Sequence, residues 1–220
     1  MGLIVLTANG KGGVGKSVLA CSSAVMCATA GIQTLIADIN DEQHTSATWA
    51  DTRQRNKIEP EIACEIMQPR AVSAAAQRCE MLIVDTPSWT HRNTCALAPL
   101  ATFIIVPTGP NYSTDIIPTI NLLKALAATG QPAWKIGVVL NLFHAGARNE
   151  ELIARHVLTE AGFPPLDGVI RNLQTFGTAY AEGRGLTETP LKNLNAEAER
   201  VLTGIVTGMN QAATIQAANG

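Results

Sequence analysis

At 220 residues, 46% of them hydrophobic and 15% charged, the chain carries enough apolar side chains for the core of one globular domain. Only 4% are aromatic, so that core must be built mostly from Ala, Val, Ile and Leu. The net charge is −2, with ten basic and ten acidic side chains in residues 1–147 and six and eight in residues 148–220. That excludes a strongly electrostatic nucleic-acid binder, which would show a basic tail or a lysine run.

Short β-rich runs alternate with longer helical patterns. The run 3-LIVLTA-8 predicts a first strand and Lys16–Ala30 a helix, with Gly31 where a C-terminal cap wants glycine. Strand 34-TLIAD-38 and helix Thr45–Arg55 follow, then strand 62-IACEIM-67 and a short helix over Ala71–Gln77. Strands 81-MLIVD-85 and 103-FIIVP-107 come next, then helix Thr114–Ala128, strand 136-IGVVLN-141, helix Asn149–Ala161 ahead of Gly162, and a weak strand 168-GVI-170. Several strands are continuous apolar runs, as expected when helices cover both faces. The fold class is therefore α/β, a mostly parallel twisted sheet with helices on both faces, and ligands should gather at the C-terminal ends of its strands. The chain is expected to form one domain, 1–220, with about the last ten residues poorly ordered. No apolar run reaches membrane-span length and no signal-peptide pattern opens the chain, so a cytoplasmic protein is expected. Cys21, Cys27, Cys64, Cys79 and Cys95 lack any metal or redox spacing and read as buried hydrophobes. His44, His91, His144 and His156 show no metal spacing either, and Trp49, Trp89 and Trp134 read as packing residues.

Between the first strand and the first helix lies 9-NGKGGVGKS-17, a complete P-loop pattern in the required context. Its glycines let successive backbone N–H groups turn toward one centre, and the helix adds its positive end. Gly12, Gly13, Val14, Gly15 and Val18 form or flank the cradle. Lys16 is placed to reach the β- and γ-phosphates of ATP, and the Ser17 hydroxyl to be a Mg²⁺ ligand. Lys11 lies too far round the turn to duplicate Lys16. It is expected to point outward to nucleotide held by a second subunit, as an arginine finger does. Asp85 and Asp38 end neighbouring apolar strands, Asp85 as a Mg²⁺–water ligand or γ-phosphate sensor and Asp38 facing the same crevice.

KGGVGKS resembles the deviant P-loop of the ParA/MinD group of ATPases, with its extra signature lysine. The stretches 34-TLIADINDEQHTSATW-49, 82-LIVDTPS-88, 104-IIVPTGPNYSTD-115 and 176-FGTAYAEGRGLTE-188 extend the resemblance over roughly residues 1–205. It implies an ATPase that binds ATP and Mg²⁺ and pairs as a nucleotide-sandwich homodimer with Lys11 crossing to the partner's ATP. Asn141 would contact adenine, with strand capping the alternative, and Pro107 and Gly109 would shape the pocket wall. The resemblance further implies non-specific DNA binding at the nucleoid, for which Arg171, Lys192 and Arg200 are the candidate contacts. A ParB-like or cargo-adaptor protein would stimulate hydrolysis, so that plasmid, chromosome or protein cargo is segregated or positioned.

One position departs from the pattern. Where the family places its water-activating aspartate, this chain has Asn40, and an amide can hold a water but cannot take its proton. Asp41 takes over after a one-residue shift, or hydrolysis is slow, or the asparagine is an engineered trap. The tail 211-QAATIQAANG-220 has no lysine or arginine and almost no bulky apolar residue, so the membrane-attached branch is not expected. Two alternatives stand beside the partition reading: a DNA-binding or conjugation accessory protein locked by ATP with little hydrolysis, and a P-loop transferase acting on a small metabolite.

Overall fold

Six parallel strands form one sheet in the order β3-β2-β4-β1-β5-β6 in the computed structural model, which describes residues 2–88 and 91–219. The strands are β1 (Leu3–Thr7), β2 (Thr34–Asp38), β3 (Ala63–Ile66), β4 (Met81–Asp85), β5 (Phe103–Thr108) and β6 (Ile136–Leu140). Alternate side chains go to opposite faces. Ile4 and Leu6 of β1 join one core with Leu82, Val84, Ile104, Val106 and Leu123, while Val5 joins the other with Ile36, Ile83, Ile105, Leu19 and Leu202. Both faces are therefore apolar, which is why the strand sequences show no polar alternation. Strand β3 is the exception: Ala63 and Ile66 are exposed at the sheet edge.

Helices α1 (Lys16–Thr29), α2 (Thr45–Arg55), α3 (Val72–Ala75), α4 (His91–Leu97), α5 (Ile117–Ala128), α6 (Arg148–Glu160), α7 (Gln174–Ala181) and α8 (Lys192–Asn219) complete the chain. Gly31 ends α1 at φ +81°, its N–H donating to Ala28 O and that of Ile32 to Cys27 O.

The expected strands and helices recur with ends moved by one to three residues, and several differences are informative. The predicted helix over 71–77 has a 3₁₀ turn at Pro69–Ala71 before its single α turn. The predicted start of the 114–128 helix is a π turn, Tyr112–Ile116, capped by the Asn111 side chain on the Ser113 and Thr114 amides. The segment 168–170 is no strand; it sits beside β6 through single bridges, Pro165 to Val138 and Arg171 to Phe143. Helices α4, α7 and α8 have no counterpart among the helices expected from the sequence, and α8 runs to Asn219 through the tail expected to be poorly ordered. Trp89 lies outside the described residues; Trp49 is buried and Trp134 half-exposed. Among the described residues, no helix is long and apolar enough to cross a membrane.

Candidate functional site

The parallel register puts three polar side chains in one row, Asp38 beside Asp85 and Asp85 beside Thr7, at the C-terminal ends of β2, β4 and β1. The glycine loop leaves β1 directly above this row. Gly13 and Gly15 take φ values of +74° and +91°, and a Cβ on Gly15 would lie 2.1 Å from Asn141 Nδ2. Only glycine fits there. Asn141 donates through Nδ2 to Val14 O at 2.7 Å, so this amide at the end of β6 braces the loop from behind. Asn9 holds it from the other side, donating to Pro107 O and Thr119 Oγ1 and accepting from Lys11 N.

A cleft of about 360 Å³ opens over the loop, lined by Gly12, Gly13, Gly15, Lys16, Ser17 and Val18 and closed by Asn40, Gln43, Thr45, Thr86, Pro87 and Ser88. Leu142 and Tyr180 link it to a more apolar recess of about 150 Å³, walled by Asn141, Ile170, Leu173 and Phe176. Lys16 is 7% exposed, and its Nζ donates to Lys11 O at 3.0 Å and Ser88 Oγ at 3.1 Å. Burial lowers its pKa, against the pull of the Asp85 charge. An ammonium with only neutral partners at the mouth of a glycine cradle is suited to an anion.

Asp85 is 1% exposed and surrounded by hydroxyls: Thr7 Oγ1 donates to Oδ1 at 3.3 Å, Ser46 Oγ to Oδ2 at 2.7 Å, and the Ser17 hydroxyl is near enough to favour its charged form. Burial pushes its carboxyl up to about 6 and Asp38 adds to that, while the Ser17 and Ser46 hydroxyls and Lys16 oppose the rise. Ser17 has a proton for Asp85 and lone pairs left for a cation. An oxygen-only donor set backed by a buried carboxylate fits Mg²⁺ rather than a softer metal. Among the described residues, no cluster of three or more His, Cys, Asp or Glu side chains forms a separate metal site.

Several expected site residues sit elsewhere than the sequence suggested. Asp38 is fully buried and does not line the cleft: Oδ1 accepts from Asn40 N, and Oδ2 from the Ser46 and Ala47 amides at 3.0 and 3.1 Å, so it caps α2. Asn40 lines the cleft, whereas Asp41 is exposed and outside its lining. The Asn40 Oδ1 accepts from the Glu42 and Gln43 amides, so the side chain is tied into its own turn. Lys11 does not point freely outward: its Nζ pairs with Asp115 and lies 3.4 Å from Thr114 Oγ1, with the side chain 39% exposed. Pro107 is fully within β5, its carbonyl taken by Asn9, and Gly109 is held close to Asp115. Of the candidate DNA contacts, Arg171 pairs with Glu151, while Lys192 and Arg200 are exposed on α8. Ser46, Thr7, Ser88, Asp115 and Tyr180 were not singled out from sequence. Ser46, Ser88, Asp115 and Tyr180 stand inside the stretches 34–49, 82–88, 104–115 and 176–188, which is the signal the sequence offers for them.

A glycine cradle between strand and helix, a buried lysine at its mouth and a hydroxyl beside a strand-end carboxylate define a P-loop nucleotide-binding protein. The family model described as the CobQ/CobB/MinD/ParA nucleotide binding domain matches residues 5–186, and the chain belongs to that family. Among solved structures, the septum site-determining protein MinD of Pyrococcus horikoshii OT3 with Mg-ADP superposes with a TM-score of 0.67 at 15% identity, covering 92% of this chain and 94% of that one. A candidate plasmid partition protein of Borrelia burgdorferi B31 bound to AMPPNP gives 0.69 at 12%, over 94% and 99%. A McdA variant of Cyanothece in complex with ATP gives 0.66 at 12%, over 93% and 96%. No curated protein sequence matches the chain.

Proposed function

We propose that this chain is a ParA-like ATPase that pairs on binding ATP and Mg²⁺, holds DNA without sequence preference, and drives the segregation of a replicon or the positioning of a protein cargo. The observation that carries this reading is the second lysine of the loop. Lys11 stands next to the cradle but outside the lining of the cleft, 39% exposed, with a side-chain carboxylate as its counter-ion. Lys16 already serves the cradle from inside, so a nucleotide in the cradle has no need of Lys11 from the same chain. A nucleotide in a second copy, pressed face to face, does.

In this reading Gly12, Gly13, Val14 and Gly15 present amides to the phosphates and Lys16 lies along them. Ser17, with Asp85 behind it, would hold the divalent cation, which would neutralise phosphate charge. Base and ribose occupy the recess beside Asn141, Leu142 and Tyr180. Asn40, on the cleft wall, orients a water without taking its proton, so turnover is slow. DNA contacts fall to exposed Lys192 and Arg200, doubled by the two-fold pairing, with Arg171 available once it leaves Glu151. A ParB-like or cargo-adaptor protein, acting at the nucleoid, would accelerate the slow step.

Light scattering with ATP and Mg²⁺ tests the pairing. The wild-type chain should run as a dimer, and Lys11→Ala should remain a monomer while still binding nucleotide. An ATP-loaded wild type that stays monomeric refutes the reading. A specific observation favours a second reading, an ATP-locked DNA-binding accessory protein with little turnover: Asn40 faces the cleft and Asp41 does not. Asn40→Asp should then raise turnover about a hundredfold, the usual lower range for a positioned base, while Asp41→Asn changes nothing. A drop in Asp41→Asn would instead identify Asp41 as the base.

A further inference from the structure

Ser46 sits in the first turn of α2, fully buried, and touches both strand-end carboxylates. Its amide donates to Asp38 Oδ2 at 3.0 Å and its hydroxyl to Asp85 Oδ2 at 2.7 Å. The direction of the hydroxyl proton is fixed from behind. Cys21 Sγ donates to Ser46 Oγ at 3.4 Å, and burial pushes the Cys21 thiol up, so it stays protonated as a donor. With its acceptor side taken, the single Ser46 proton is committed to Asp85.

The two contacts do different things. Capping of α2 needs only the backbone N–H groups of Ser46 and Ala47 on Asp38, which any residue supplies. The hydroxyl adds nothing to the cap. It reaches across to β4, where the Ser17 hydroxyl also lies near enough to Asp85 to favour its charged form. Ser46 thus joins the loop 40–44, which leads into α2 and carries Asn40, to the oxygen cluster suited to a divalent cation.

We infer that Ser46 is a positioning residue: it holds Asp85 in place for the divalent cation at Ser17, and through α2 it conveys cation binding to the 40–44 loop. The inference rests on the proposed nucleotide and Mg²⁺ site. When Asp85 turns to serve a cation-bound water, the Ser46 hydroxyl must follow or let go, and either event is felt at the N-terminus of α2. Groups that support a cation's ligands ordinarily contribute 10- to 100-fold to its affinity, and Ser46, which acts on the cation only through Asp85, is expected at the low end of that range.

The test uses ADP, so no turnover is involved. Affinity for ADP is measured with and without Mg²⁺, and hydrogen exchange of residues 40–48 is followed across a Mg²⁺ titration. Wild type should bind ADP more tightly with Mg²⁺ and gain protection over 40–48. Ser46→Ala should bind Mg²⁺-free ADP within about twofold of wild type, need about tenfold more Mg²⁺ for half-saturation, and lose the Mg²⁺-dependent protection. Ser46→Thr, which keeps the hydroxyl, should restore both. If Ser46→Ala fails to fold, Ser46→Cys, a weaker donor of similar size, takes its place with an intermediate midpoint expected. Alanine and wild-type curves that coincide in midpoint and in exchange overturn the inference and leave the nucleotide site standing. A wild type whose ADP binding ignores Mg²⁺ overturns the cation site itself, and the inference with it.

Discussion

Asp85→Asn should make the ligand-free protein more stable at neutral pH. Its carboxyl is buried, close to Asp38, and pushed up to about 6 despite the Ser17 and Ser46 hydroxyls and Lys16. A raised acid pKa means the folded chain holds its proton more tightly than the unfolded chain does. The associated stability is fully present below the unfolded-state value of about 3.9 and is lost as pH climbs through about 6. Carrying the charge from about 3.9 to about 6 costs the folded state about 3 kcal/mol at pH 7.5. An asparagine carries no charge and nearly the same shape, but its amide N–H₂ must face hydroxyls that now donate to Asp85. The Ser46 proton, set by Cys21, can go to the amide oxygen, and the Thr7 hydroxyl, which also donates to Val84 O, can accept from the N–H₂ at a loss of about 1 kcal/mol, so a net gain of about 2 kcal/mol is expected. By pH 4.5 the ionisation cost has fallen to about 1 kcal/mol, which that loss cancels, so the two proteins should be about equally stable. Urea unfolding followed by circular dichroism at both pH values measures the difference directly, and Mg²⁺-dependent nucleotide binding should be lost in parallel. A variant less stable than wild type at pH 7.5, or a difference independent of pH, would refute an ionised and desolvated Asp85.

Other perturbations bear on neighbouring contacts. Glu188→Gln strips the counter-charge from Arg53, which is 1% exposed and otherwise held by Pro60 O, Gly183 O and the Trp49 ring, and should cost about 3–5 kcal/mol; a loss under about 1 kcal/mol in urea titration would mean water reaches the pair. Gly15→Ala forces a Cβ into Asn141 Nδ2 at φ +91°, so nucleotide affinity should fall at least about tenfold and Tm should drop. Adding Asn141→Ala should relieve the clash but leave the backbone strain, giving partial recovery of Tm only. Asp115→Asn frees Lys11. If pairing of two copies requires Lys11 to leave Asp115, two pairs at about 0.5–1 kcal/mol each correspond to about 5- to 30-fold tighter ATP-dependent self-association by sedimentation; unchanged or weaker association would mean Asp115 still serves Lys11 in the dimer.

What could be read from the chain alone was what neighbours in sequence decide. The cradle Gly12–Ser17 is contiguous, and its strand, turn and helix carry their own signals, so loop, Lys16 and Ser17 were all legible. Asp85 and Asp38 were recognisable as strand ends, but their roles were not, because these depend on what docks against them. Asp38 is taken up by amides of α2, and Asp85 by hydroxyls from β1, α1 and α2. Ser46 reads as an ordinary residue of a polar helix until α2 lands on the sheet. A separation of 104 positions between Lys11 and Asp115 hides that pair in the same way. Helix α7, with Gly177 in a run of eight, is too short for periodicity to declare it, and Gly168 at φ +84° breaks the extended run that 168–170 would need.

The loop after Asp38 shows how local signals can mislead. The distance from Asp41 to Trp49 matches the family's spacing better than that from Asn40, which made Asp41 a fair candidate for the cleft. The structure keeps Asp41 on the outside. Asn40 closes a turn on the Glu42 and Gln43 amides, and His44 takes a left-handed φ of +46° just before α2. That conformation is uncommon for histidine, and it lets α2 start at Thr45 with the Ser46 and Ala47 amides on Asp38. Two buried charge-assisted capping bonds, at about 1.5–3 kcal/mol each, outweigh one strained residue at about 1–3 kcal/mol. The anchoring of α2 therefore fixes where the loop begins and ends, and Asp41 is left facing solvent because the helix start cannot move to bring it in.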